Sequence, residues 1–141
     1  MKIVRMTAAH VQAVQLQDAQ AYALPMVTAE HAQQLATADG VAWAALDGDE
    51  VIACAGIVQA HEQRGLAWAM FSESALRQFK LIHRVVRAVL ASAKWRRIEM
   101  TVDINHAAAI QWAERLGFER EGLMRAVTLD GRDCYLYAKV K

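Results

Sequence analysis

At 141 residues the chain is sized for one domain with a sizeable buried core that needs no disulfide or metal staples. Its hydrophobic fraction of 55% and mean hydropathy of +0.09 owe much to alanine, and no run approaches the ~18 apolar residues of a membrane span. A formal net charge of +1 argues against duplex DNA as a partner, and the charged start MKIVRMTAAH is unlike a secretory signal, so a cytoplasmic location is the default.

In chain order, Lys2 to Thr7 alternates as a first strand, and Ala8 to Tyr22 reads as a helix with Val11, Val14, Leu16 and Ala21 towards one side. Pro25 breaks the chain. Thr28 is placed to cap a second helix running to about Ala38, which Asp39-Gly40 ends. Val41 to Leu46 and Val51 to Gln59 are strands joined by an Asp-Gly turn, a strong hairpin signal. His61 to Gly65 is a second polar turn, and Leu66 to Phe71 another apolar strand. Ser72 or Ser74 can then cap a long helix whose inward stripe is Phe79, Ile82, Val85, Val86, Val89 and Leu90. Cys54 and Cys134 fall in strand-like runs without ligand spacing and read as buried thiols, so no metal site is expected.

The most informative stretch is RRIEMTVDINHAAAIQWAERLGF, from Arg96 to Phe118. Ile98, Met100 and Val102 alternate with Glu99, Thr101 and Asp103 as a strand with unlike faces, which puts the two carboxylates on the solvated side. Asp103 and Asn105 offer oxygens to cap a helix, along which Ala109, Trp112, Ala113 and Leu116 follow at helical spacing. Gly117 supplies the left-handed residue that stops it, and Phe118 can fold back. Gly122 to Leu129 and Asp133 to Val140 make a closing hairpin around Asp130-Gly131-Arg132. The order β-α-α-β-β-β-α-β-α-β-β describes one α/β domain over residues 1–141, a mixed, mostly antiparallel sheet of about seven strands with helices on both faces.

That order, with the RIEMTV strand, the Asn turn and the A-x-x-W-A-x-x-L-G-F helix, resembles the GNAT N-acetyltransferase superfamily over nearly the whole chain. The resemblance implies transfer of an acetyl group from acetyl-CoA to an amine, carried by a small molecule or a peptide. It places the coenzyme where the fourth and fifth strands splay, with pantetheine on fourth-strand backbone and pyrophosphate at the following helix N-terminus. By position, Ala69, Met70 and Phe71 would take the pantetheine, and Ser74, Leu76, Arg77 and Gln78 would form the pyrophosphate turn. Asn105 would orient coenzyme or substrate amide, and Trp112 is a core or ligand-packing residue.

Two positions depart from the family pattern. The family turn [Q/R]-x-x-G-x-[G/A] uses glycine to bring backbone close to phosphate, whereas this chain has the glycine-free SESALRQF. Leu76 and Gln78 stand near the small-residue positions; Arg77 supplies a compensating cation and Ser74 a hydroxyl, while Glu73 would repel phosphate. The same segment also reads simply as a capped helix start. Many members carry a tyrosine acid four residues before the Gly-Phe glycine, and here that position is Ala113. His106, Asp103 and Tyr135 remain as candidate acid–base groups, with His61 weaker, and proximity alone can serve aminolysis of a thioester.

Two functional readings stay open from the sequence. One is the acetyltransferase. The other is a non-enzymatic module that kept the scaffold and lost the coenzyme turn. HRVVRAVL, WAERLGFEREG and DGRDCYLYA look most like acetyltransferase-like proteins of phages and prophages, including an internal virion protein family, for which virion association would be expected. Lys80, His83, Arg84, Arg87, Lys94, Arg96 and Arg97 read as a solvated helix face and its exit rather than a nucleic-acid surface, and the closing hairpin could serve a homodimer.

Overall fold

A computed structural model describes residues 1–141. Its elements are β1 (Lys2–Arg5), α1 (Ala8–Ala13), a 3₁₀ segment (Asp18–Met26), α2 (Ala29–Thr37), β2 (Gly40–Asp47), β3 (Glu50–His61) and β4 (Arg64–Phe71). There follow α3 (Glu73–Arg77), α4 (Phe79–Ser92), β5 (Arg97–Asp103), α5 (Ala107–Arg115), β6 (Glu119–Met124) and β7 (Cys134–Val140). The seven strands hydrogen-bond in the order β1-β2-β3-β4-β5-β7-β6. The β1–β2, β2–β3, β5–β7 and β6–β7 pairs are antiparallel, and β4–β5 is parallel over Arg64–Leu66 and Arg97–Glu99. By its contacts the chain divides into two compact units, Met1–Gln59 with Trp68–Ala93, and Ala60–Ala67 with Lys94–Lys141.

In the first unit, Met6, Val11, Val14, Ala32, Ala44 and Cys54 form the core, and Trp68 and Met70 pack against it. Thr7 and His10 cap α1 reciprocally, and the Thr28 hydroxyl accepts from His31 N–H at 3.1 Å to start α2. Gly40 opens β2 at φ +129°, where a Cβ would lie 2.0 Å from the Ile57 carbonyl oxygen, so no other residue fits. The buried Cys54 thiol is pushed up to about 12 by desolvation and stays protonated.

The second unit holds β5 and the β6–β7 hairpin. Helix α5 ends on Gly117 at φ +92°, with Gly117 N–H donating to the Glu114 carbonyl and Phe118 N–H to the Ala113 carbonyl, both at 3.0 Å. This pair of bonds satisfies the last turn and folds Phe118 inwards with Trp112, Ala113 and Leu116, all buried.

Four local expectations are corrected. The first helix stops at Ala13 instead of Tyr22, because Val14 turns extended and Gln17 N–H donates to the Phe71 carbonyl at 2.8 Å; a 3₁₀ stretch containing Pro25 follows. Ser72 caps only the short α3, and a break at Gln78 precedes α4. Asp103 accepts from Asn105 N–H at 2.8 Å rather than from α5, whose first residue follows an uncapped His106. Strand β6 ends at Met124, because Ala126 turns left-handed and its N–H goes to the Asp133 carboxylate.

Candidate active site

Each expected coenzyme-binding residue of the first unit lies on or just after β4. Ser72 N–H donates to the Ile52 carbonyl of β3 at 2.9 Å, so by strand alternation Phe71 and Ala69 turn their backbone groups to the opposite edge. Met70 by the same alternation faces β3, and its side chain packs on the Met6–Val11 core. The edge groups of Ala69 and Phe71 are met by one side chain that the sequence reading overlooked. Gln20 Nε2 donates to the Ala69 carbonyl and Phe71 N–H donates to Gln20 Oε1, each at 2.9 Å. No local pattern marks Gln20; only the tertiary route of the 3₁₀ segment brings it there.

The SESALRQF segment is wound rather than open. Ala75 N–H donates to the buried Ser72 hydroxyl, and Gln78 N–H to the Ala75 carbonyl. Ser74 donates to Glu50 at 3.0 Å and accepts from Arg77, while Leu76 is exposed. The fourteen-residue α4 follows Gln78, whose carbonyl accepts from Leu81 and Ile82. Its first turn has no acidic residue and no side-chain cap, a charge arrangement that does not oppose an anion. Lys80, Arg84 and Arg87 are exposed along it.

The expected acid–base groups of the second unit gather around the end of β5. Asp103 is 3% exposed, its two oxygens shared between Asn105 N–H and the Arg132 guanidinium. Burial pushes this carboxyl up, yet Arg132, the Asn105 N–H and the charge of neighbouring His106 together hold it below the usual carboxylate range. His106, half-buried, follows at the start of α5 and donates its backbone N–H to the Asp103 carbonyl at 3.0 Å. Desolvation lowers the imidazole below its ordinary value and the Asp103 charge only partly offsets it, so the ring is neutral at pH 7. Asn105 is exposed at the turn between them, and Trp112 is buried in α5.

Tyr135 sits on β7 opposite Val102, with the Arg120 guanidinium 3.7 Å over its ring and Tyr137 edge-on at 6.5 Å. His61 caps its own turn, accepting from Gln63 N–H at 3.1 Å. The expected solvation of Glu99 and Asp103 is overturned. Glu99 is 8% exposed and held by Arg64 and Arg97, the latter also gripping Glu121. Arg132 stands in the DGRD turn, where an arginine two residues before a strand was the only hint of its pairing with Asp103.

The model of the acetyltransferase (GNAT) family matches residues 10–118, and the chain belongs to that family. Members act on small-molecule or peptide amines and generally use acetyl-CoA. Among solved structures, smu.2055 from Streptococcus mutans UA159 is similar with TM-score 0.76 at 13% identity, covering 99% of each chain. The aminoglycoside 6'-N-acetyltransferase from Enterococcus faecium is similar with TM-score 0.70 at 19% identity, over 99% of this chain and 97% of that one. A spermidine N-acetyltransferase chimera from Vibrio cholerae and hSSAT gives TM-score 0.72 at 10% identity, over 99% of this chain and 96% of that one. These likenesses show the fold, a seven-stranded mixed sheet with helices. No curated protein matches the sequence.

Proposed function

We propose that this family member binds acetyl-CoA along the outer edge of β4 and acetylates a primary amine. The observation that carries the reading is the donor–acceptor pair of Phe71 N–H and the Ala69 carbonyl. An amide satisfies both at 2.9 Å, and pantetheine carries amides of the same kind. The uncapped N-terminus of α4, with Ser74, Leu76, Arg77 and Gln78 just before it, would receive the pyrophosphate. Arg77 brings the positive charge that the glycine-free turn lacks in backbone donors.

When bound, the coenzyme supplies an activated acetyl thioester. The chain's part is to hold it, to position the amine and to take the amine's proton. His106 is the group fitted to that last task, since its neutral imidazole is ready to accept a proton at pH 7. Asp103 positions it, ordering the turn through Asn105 and Arg132 and stabilising the imidazolium once formed. Asn105, exposed beside His106, would orient an amide of coenzyme or substrate; Trp112 and Tyr135 would be packing residues, Tyr135 being held by Arg120 rather than poised as an acid. Two of the similar structures are named for aminoglycoside and spermidine acetylation, so polyamine-type primary amines are the first acceptors to screen.

Calorimetric titration with acetyl-CoA, with CoA and ADP as comparison ligands, tests the reading. Micromolar acetyl-CoA binding, followed by thiol release in the presence of an amine, is the expected result. No binding up to millimolar acetyl-CoA would overturn it.

A further inference from the structure

We propose that Gln20 is a built-in competitor of the coenzyme, its carboxamide occupying the β4 edge that a pantetheine amide must take. The inference rests on the reading that β4 binds pantetheine, and it adds an autoinhibitory contact to that site. A carboxamide offers one donor face and one acceptor face, the same pair a peptide-like amide presents. Gln20 uses both, Nε2 to the Ala69 carbonyl and Oε1 from Phe71 N–H, so the donor and the acceptor that a pantetheine amide would pair with are both engaged.

The neighbouring contacts hold the amide in that orientation. Gln17 Nε2 donates to Gln20 Oε1 at 3.2 Å, and Gln20 N–H donates to the Gln17 carbonyl at 2.9 Å. Gln17 N–H in turn covers the Phe71 carbonyl at 2.8 Å, so the same segment covers three consecutive polar groups on this edge. Gln17 is 7% exposed and acts as the anchor.

The segment is also built to leave. Asp18–Met26 has no fully buried residue, Leu24 and Met26 are exposed, and its helix is the short-range 3₁₀ type interrupted by Pro25. With little apolar burial behind it, it belongs to the low-stability end of the fold and can open locally. The exchange is also close to even in hydrogen bonds, because one amide replaces another on the same two backbone groups. Coenzyme binding is therefore weakened by the fraction of molecules in which Gln20 is seated, and a change that unseats it removes that loss.

Gln20→Ala and Gln20→Met test this by calorimetry with acetyl-CoA and, in parallel, ADP, which lacks pantetheine. Methionine offers neither the donor nor the acceptor of the carboxamide, so it unseats the contact while nearly keeping the side chain's size. Both variants should bind acetyl-CoA roughly 3- to 10-fold more tightly than the parent, with ADP affinity unchanged. Equal or weaker acetyl-CoA binding by the variants, against measurable binding by the parent, overturns the competitor role and leaves the coenzyme reading standing. An equal gain for ADP also overturns it, since the effect would not lie at the pantetheine. Absence of acetyl-CoA binding by parent and variants alike overturns the coenzyme reading, and the competitor falls with it.

Discussion

His106 owes its proposed role to where it stands rather than to its residue type. Four other histidines share its chemistry. At His106 desolvation lowers the imidazole and Asp103 partly restores it, which leaves a neutral base beside a buried carboxylate. The pH profile of kcat/KM should therefore be flat through neutrality and fall only on the acid side of the ordinary value of 6.5. His106→Gln should lose that acid limb and about 10²-fold in rate, within the span of general-base catalysis. A variant that keeps the wild-type profile would remove His106 from the mechanism. The sequence singled out His106 and Asp103 but assigned Asp103 a solvated position. Its guanidinium partner lies 29 positions away, and the Arg64 that pairs with Glu99 lies 35 away, so no local pattern reports either burial.

At the scale of elements, legibility follows the range of the forces that set each boundary. The Asp47-Gly48 turn forms where it was read, because a left-handed glycine at φ +61° is a local requirement. The stop at Gly117 is equally local. Gly117→Ala places a Cβ at φ +92° and within 2.9 Å of Lys139 Nζ, whose ammonium also donates to the Leu116 carbonyl. The substitution should cost about 1–2 kcal/mol from the left-handed strain, read as a lower urea midpoint with an unchanged slope; an unchanged midpoint would contradict the strain. The early end of α1 is different in kind. Residues 14–22 have helical periodicity, but Phe71 and Ala69 offer this stretch hydrogen bonds that a continuous helix would forgo. Likewise β6 ends early because Asp133 captures the Ala126 N–H, a bond set by how the turn closes.

On the whole-molecule scale, stability should depend on acid in a defined way. The folded-state carboxyls of Asp103 and Glu99 lie below their unfolded values, held by Arg132 and the Asn105 N–H in one case and by Arg64 and Arg97 in the other. Their contribution is complete above the ordinary carboxylate range and is lost as pH falls through the lowered values. His106, also lowered, adds an earlier loss, since the unfolded chain takes up its proton first as pH drops below 6.5. The urea midpoint should thus decline from about pH 6.5 and more steeply below about pH 4. Asp103→Asn should flatten the acid limb while lowering stability at pH 7. A midpoint that does not fall below about pH 4 would show that these pairs do not carry stability, and one constant between about pH 6.5 and pH 4 would remove the His106 contribution. The sequence by itself determined the order of elements, the Asp47-Gly48 hairpin turn, the glycine stop and the family, because periodicity and turn geometry act between residues close in the chain. Only the tertiary structure decided that Glu99 and Asp103 are buried ion-pair members, that SESALRQF winds into helix, and that Gln20 lies on β4. Those outcomes depend on hydrogen bonds and charges that meet across tens of residues, where folding alone selects the partner.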